Sequence, residues 1–294
     1  MVLVVGVGQS VRAIACPKDP QGSVSPISAK QWATDAARNE VEVVQYGSSY
    51  LRYRVHIVSS KGDQIRDVVE SRDGTVARLI YRNNGPITAG EDANERQRLQ
   101  DMLNSPSAFA SHIQTDQSGK KTAVTFLKLL PEAMTYTFVA GQPQRPRPPG
   151  GTHDQPEIVV DFQPNAAWNP PTMTAEALTG LSGRVWIDAE THYMTRMEAN
   201  VFRSVNFGWG LFAHIYPGGR LEIEQHRVSE RRWMVSHYVE HLTIRALMLK
   251  TLKENLEIEP SSFRAVPEMN YRDAINLLLA SPLPTGPPDL HPAL

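Results

Sequence analysis

The sequence predicts an α+β fold built on an antiparallel sheet, with a helix near each end and a helical insert. Apolar and polar residues alternate along many short segments, as they do in half-buried strands. These segments are consecutive and joined by short turns, which favours antiparallel pairing. Residues 88–131 are rich in helix formers and separate two groups of strands. One sheet shared by both groups is more economical than two domains.

Composition bounds the function classes. The chain has 294 residues, 41% of them hydrophobic, with 30 Lys+Arg against 31 Asp+Glu. Such a chain can bury a sizeable core, and its net charge of -1 argues against a dedicated nucleic-acid binder. A single cysteine rules out an intrachain disulfide and a cysteine-based zinc cage. No apolar run approaches the ~18 residues of a membrane-spanning helix.

Residues 1–15 are predicted to be a signal segment. Gly6-Val7-Gly8 begins a dinucleotide-binding pattern, but Val11 replaces the third glycine and Pro17 interrupts the expected helix. Ala13-Ile14-Ala15 instead matches a signal-peptidase cleavage site, which places processing between Ala15 and Cys16. Cys16 could carry a lipid anchor. The missing basic region would fit a start codon assigned too far downstream.

Residues 28–46 form the first predicted helix, capped by Ser28, and three strands follow it at 50–57, 65–70 and 75–81. Asp73-Gly74 predicts a tight hairpin between the second and third strands, with positive φ at its central residues. The alternating apolar positions are Leu51, Tyr53, Val55 and Ile57 in the first strand and Ala77, Leu79 and Tyr81 in the third.

The insert at 88–131 is predicted to hold three helices. Thr88 and Glu91 make a capping box for a helix over 91–103. Ser105-Pro106 starts a second helix that runs to Ile113, and the third covers 120–130 before Pro131. A strand at 135–140 and a Pro-rich loop at 141–157 follow.

The remaining chain is predicted to be mostly strand, with a last helix over 270–280 and a Pro-rich tail over 282–294. The strands are expected at 158–162, 183–188, 193–202, 209–216, 220–228, 232–245 and 247–258. Residues 16–281 are therefore interpreted as a single α+β domain that contains both insertions.

The segment at 183–198 ends one strand in Asp188, turns through Thr191 and returns to Glu198. This pattern resembles the periplasmic lipoprotein-carrier superfamily, the LolA/LolB-like proteins that sort outer-membrane lipoproteins. The opening helix, the meander, and the Leu247–Lys253 and Ser261-Ser262-Phe263 segments fit the same family. The resemblance implies a strongly curved antiparallel sheet, an unclosed half β-barrel, with helices packed on its concave side.

The resemblance also implies the function. We expect an exported, non-enzymatic carrier or binding protein for a lipid, an acyl chain or a lipoprotein in the bacterial cell envelope. It would need no cofactor, and it would reside in the periplasm or be anchored by lipid to the outer membrane. One strand face should line the ligand cavity, and the candidates are Tyr53, Val55, Ile57, Leu79, Tyr81, Val185, Ile187, Met197 and Val201.

Two alternatives remain. His237-Tyr-Val-Glu240-His241 matches the H-x-x-E-H pattern of a zinc peptidase, which requires both histidines on one helix. The β-branched and aromatic residues of 232–246 favour a strand there, and histidines four apart in a strand lie ~13 Å from each other. The other alternative is a cell-envelope interaction or sensor module, in which the Pro-rich loop and helix 91–103 contact another protein.

Overall fold

The structure, a computed structural model, describes residues 27–45, 49–142, 156–207, 213–229, 232–246 and 250–284. Ala15, Cys16 and the predicted signal segment lie outside these residues, as does most of the Pro-rich loop. The described helices are α1 (Ala29–Gln45), α2 (Ala89–Asn104), α3 (Pro106–Ala133), a 3₁₀ helix (Thr174–Gly180) and α4 (Tyr271–Ala280). None of these helices is both long and apolar enough to cross a bilayer.

The described strands form one antiparallel sheet of 13 strands. Along its main path the order is β4-β3-β2-β1-β13-β12-β11-β8-β7-β6-β5, and β10 and β9 extend it from β12. The strands are β1 (Tyr50–Ser59), β2 (Gly62–Ser71), β3 (Gly74–Arg82), β4 (Gly85–Pro86), β5 (Met134–Phe138), β6 (Glu157–Pro164), β7 (Leu181–Asp188), β8 (Met194–Val201), β9 (Val205–Phe207), β10 (Ala213–Ile215), β11 (Arg220–Ser229), β12 (Arg232–Ala246) and β13 (Lys250–Val266).

The sheet joins the two groups of strands that the helical insert separates in sequence. β1 pairs with β13 from Tyr50↔Val266 to Ser59↔Leu256, so the N-terminal meander adds to the C-terminal strands. The hydrogen-bonded order does not return from β5 to β4. An α+β fold with an unclosed antiparallel sheet is therefore confirmed.

Helix α1 packs on strands at the β5 side of the sheet. Ala29, Trp32 and Ala36 recur at helical spacing and share a core cluster with residues of β6, β7 and β8. Burial of one stripe of the helix is the packing expected of an amphipathic helix on a sheet. The predicted helix over 28–46 is confirmed, and the Ser28 hydroxyl accepts a hydrogen bond from the Gln31 amide at its start.

A second core cluster lies at the β4 side of the sheet, where α4 packs on β2 and β3. Its members come from the strands, from α4 and from the insert: Val69, Val76, Leu99, Met102, Phe109, Ile113, Ala274, Ile275 and Leu278. The insert thus contributes to the core through α2 and the first half of α3.

The insert differs from the prediction in one respect. The capping box of Thr88 and Glu91 forms at the start of α2, but α3 is a single helix of 28 residues rather than two shorter ones. Gly119 lies within it and Pro131 lies in its last turn. A lone exposed glycine costs a helix only about 1 kcal/mol, so it weakens α3 without ending it.

The hairpin at Asp73-Gly74 also differs in detail. β2 and β3 are joined by two turn residues, Arg72 and Asp73, as expected for a tight hairpin. Of the residues at this turn, Gly74 alone has a positive φ, which is 135°. The prediction that both central residues, Asp73 and Gly74, have positive φ is therefore wrong. A Cβ at Gly74 would also meet the end of the Ile113 side chain of α3, which would have to move to make room for it.

Candidate functional site

A cavity of about 470 Å³ lies between α1, α3 and the β5–β12 side of the sheet. This volume falls within the range of ≈ 300–1,000 Å³ that is usual for small-molecule sites. The cavity separates the helices from the strands beneath them, so the apolar faces of the helices and of the sheet are only partly packed against each other.

Both walls of the cavity are apolar. The helices contribute aliphatic and aromatic side chains: Ala33, Ala36, Ala37, Val43 and Val44 from α1, Ala123, Phe126, Leu127 and Leu130 from α3, and Leu178 from the 3₁₀ helix. The strands contribute Met134, Phe162, Leu181, Val185, Met194, Met197, Ala199, Leu221, Ile223 and Val235. Hydrophobic burial is therefore the main interaction that this site can offer a ligand.

Two buried polar residues interrupt the apolar wall. Glu40 of α1 is 5% exposed and Gln225 of β11 is 4% exposed, and both line the cavity. Gln225 Nε2 donates a hydrogen bond of 2.6 Å to Glu40 Oε2, and the Met194 amide donates one of 3.3 Å to Glu40 Oε1. Burial raises the pKa of the Glu40 carboxyl to about 7, although both hydrogen bonds lower it.

Two tyrosines also line the cavity, with their hydroxyls already bonded. Tyr136 donates a hydrogen bond of 2.9 Å to the Leu130 carbonyl, which ties β5 to the end of α3. Tyr238 donates to the Glu240 carboxylate. Burial raises the pKa of both hydroxyls, so they remain protonated at neutral pH and present mainly their rings to the cavity.

The structure places the predicted lining residues in several different locations. Val185 and Met197 line the cavity. Ile187 and Val201 are buried in the same half of the sheet but outside the lining. Leu79 and Tyr81 are core residues of β3. Val55 and Ile57 are half-buried on β1.

Tyr53, the remaining candidate, borders a separate cavity of about 260 Å³ that also contains Arg52, Arg54 and Arg264. Arg52 there forms a two-pronged ion pair with Asp67 and contacts Ser281 of the C-terminal segment. This smaller cavity has a mixed lining with several charged side chains, whereas the larger one is almost entirely apolar. We therefore take the larger cavity as the candidate site.

Glu40, Gln225 and the α3 wall were not predicted from the sequence to be parts of this site. Glu40 continues the spacing of Ala33, Ala36 and Ala37 along the buried stripe of α1, and that spacing was the signal available. The lining residues of α3 fall within the helix predicted over 120–130, but the packing of that helix beside α1 is a tertiary contact that the local pattern does not predict.

The histidines of the zinc-peptidase pattern lie on a strand. Residues 232–246 form β12, as the β-branched composition predicted, so His237 and His241 do not share a helix turn. His241 Nδ1 lies 3.0 Å from Asn255 Oδ1, and the Glu240 carboxylate accepts from Tyr238. The arrangement that a helical H-x-x-E-H motif requires is therefore not formed.

His237 instead belongs to a row of polar side chains across β12, β13 and β1. Its Nδ1 lies 3.4 Å from one oxygen of Glu259, and His56 Nδ1 lies 3.4 Å from the other. The ligand atoms of His237, Glu257 and Glu259 lie within 4.8 Å of one another. Glu257 is exposed and Glu259 is half-buried, and partly solvated ion pairs are sufficient to explain these contacts.

The acidic residues of the segment at 183–198 also form local contacts. Asp188 Oδ1 accepts hydrogen bonds from the amides of Glu190 and Thr191 and from the Thr191 hydroxyl, which fixes the turn between β7 and β8. Glu198 pairs with Arg196.

In comparisons with known proteins, no family model matches this sequence and no curated protein is significantly similar to it.

Proposed function

We propose that this protein is a non-enzymatic carrier or binding protein for a single-chain apolar ligand, such as a lipid or an acyl chain. The observation that carries the proposal is the apolar cavity between α1, α3 and the sheet. A ligand there would replace water against side chains from both layers, and each buried methylene contributes about 0.8 kcal/mol.

In this proposal the sheet curves around the cavity, as in the lipoprotein-carrier superfamily, and the helices lie on its concave side. A long-range contact supports the curvature. Arg232 of β12 reaches Glu70 of β2 at 2.8 Å, although β13 and β1 lie between these strands in the sheet order. Three strand spacings of a flat sheet span about 14 Å, so bending towards one face would help the two side chains to meet.

We place the protein in the bacterial cell envelope as part of the same proposal. The support is the cleavage pattern Ala13-Ile14-Ala15 followed by Cys16, together with the resemblance of residues 183–198 to the envelope carriers. Lipoproteins are included among the possible cargoes because their acyl chains present the same chemistry as a free lipid.

The test is to purify the protein from fractionated bacterial cells and to analyse an organic extract by mass spectrometry. We expect recovery from the envelope fraction with a near-stoichiometric single-chain lipid. An empty extract, together with no binding of a fluorescent fatty acid, would overturn the carrier function. Recovery from the cytoplasmic fraction would overturn the location alone.

A further inference from the structure

The buried Glu40–Gln225 pair is an unusual feature of an otherwise apolar cavity. Glu40 lies on the stripe of α1 that faces the sheet, and Gln225 lies on β11 opposite it. Both side chains are more than nine-tenths buried, and both belong to the cavity wall. They therefore mark one polar position in a site whose other surfaces are mainly hydrocarbon.

The hydrogen bonds of this pair are incomplete. Gln225 Nε2 is held by Glu40, so the amide oxygen of Gln225 points elsewhere, and it is buried without a hydrogen-bond partner among the residues that the structure describes. No ion pair of Glu40 is found in the same part of the chain, and two neutral N–H donors are its hydrogen-bond partners there.

Such an arrangement is costly for folding alone. A buried amide oxygen without a partner costs about 1–3 kcal/mol, and burial of a carboxyl group without a cation costs more. Apolar residues at the two positions would avoid both costs. Binding sites, in contrast, commonly contain a few polar groups that orient the ligand within an apolar cavity.

We propose that Glu40 and Gln225 bind the head group of the ligand, and that this head group is uncharged and donates a hydrogen bond, as a hydroxyl or a primary amide does. This inference rests on the proposed function and narrows its ligand class. The Gln225 oxygen would accept from the head group, while the hydrocarbon chain would lie among the apolar residues of α1, α3 and β8.

Charged head groups fit this position less well. An anion would meet the carboxyl and carbonyl oxygens of the pair without a cation to compensate it. Both oxygens of the Glu40 carboxyl already accept N–H hydrogen bonds, from Gln225 and from the Met194 amide, so the carboxyl has partners without a cationic ligand. Neutral Glu40 can also donate its proton to the oxygen of a bound alcohol.

The test measures how ligands of equal chain length displace a neutral fluorescent probe, N-phenyl-1-naphthylamine. The ligands are 1-dodecanol, dodecyl methyl ether, dodecylamine and dodecanoate, and the proteins are the wild type, Gln225→Leu, Glu40→Leu and Glu40→Gln. We expect the alcohol to displace the probe from the wild type at about tenfold lower concentration than the ether. The alcohol hydroxyl can donate a hydrogen bond to the Gln225 oxygen, and the ether oxygen cannot.

The variants separate recognition of the head group from general binding. Gln225→Leu and Glu40→Leu should bind the probe but lose the preference for the alcohol, whereas Glu40→Gln, an uncharged isostere, should keep it. Equal displacement by alcohol and ether, or a stronger effect of the amine or the carboxylate, would overturn this inference alone. Failure of the wild type to bind the probe would overturn the proposed function as well.

Discussion

Glu40 shows how one residue can be well placed by periodicity and still be missed. Its spacing from Ala33, Ala36 and Ala37 assigns it to the buried stripe of α1, yet a glutamate is normally expected to lie in water. What places it inside is the set of apolar residues on either side of it, including Val43 and Val44. The sequence predicted the helix, but the partner Gln225 lies 185 residues away and was not predictable from local pattern.

Glu40 should make stability depend on pH. Its pKa rises from an ordinary 4.5 to about 7 on folding, so the folded protein binds more protons than the unfolded chain between these values. The contribution of Glu40 to stability is therefore fully present below pH 4.5 and is lost as pH rises through 7, a change of about 3 kcal/mol from this group. Urea unfolding at a series of pH values measures the free energy of unfolding.

Glu40→Gln is the control for this pH dependence. The variant cannot titrate at this position. The free energy of unfolding of the wild type minus that of the variant should therefore fall as pH rises, because the contributions of all other groups cancel in this difference. Tyr193, which also interacts with Glu40, has a pKa raised above 10 by burial and stays neutral in this range. Parallel pH profiles for the two proteins would show that Glu40 is not buried as described.

At the scale of elements, local sequence signals predicted most helices and strands. The hairpin at Asp73-Gly74, the capping box at Thr88 and the strand at 232–246 all follow from propensity and spacing. The 3₁₀ helix over Thr174–Gly180 has no strong signal of its own and was not predicted.

The continuity of α3 was missed for a physical reason. Between Ile113 and Lys120 the helix carries polar residues and Gly119, so the apolar periodicity fades and the segment resembles a linker. Helical hydrogen bonding and packing at both ends of α3 outweigh this weak local propensity. The second half of α3 lines the cavity.

Replacement of Gly119 tests that continuity. The residue is exposed in mid-helix, and a Cβ there would meet nothing within 4 Å. Gly119→Ala should therefore raise the free energy of unfolding by about 1 kcal/mol, because alanine loses less backbone entropy in a helix. The measurement is urea unfolding at neutral pH.

Gly183→Ala serves as the opposite control. At Gly183 a Cβ would collide with the Glu198 carbonyl oxygen of the neighbouring strand and lie 2.8 Å from the Phe162 ring, so this variant should lose stability. If Gly119→Ala is neutral or destabilising while Gly183→Ala behaves as expected, the helix is interrupted at Gly119.

For the whole molecule, the sequence was sufficient to predict an antiparallel sheet interrupted by a helical insert, because strand alternation and short turns are local signals. It was not sufficient to locate the cavity. Val185 and Met197 were identified from strand alternation and do line the cavity. The five candidates on β1 and β3 lie away from α1, and they are Tyr53, Val55, Ile57, Leu79 and Tyr81. Which part of a long sheet a helix covers depends on tertiary packing, which strand patterns do not encode.

The proposed function requires an apolar ligand to occupy the cavity between α1, α3 and the sheet. Its most direct test blocks the cavity from each helix, with Ala123→Phe on α3 and Val44→Phe on α1, and keeps Ala110→Phe, at an exposed position of α3, as the control. Titration with N-phenyl-1-naphthylamine should show saturable binding to the wild type and to Ala110→Phe, weakened at least tenfold in both blocking variants, a loss of about 1.4 kcal/mol. Unfolding curves measured in parallel establish that each variant is folded. No saturable binding to the wild type, or equal binding to all four proteins, would contradict the account.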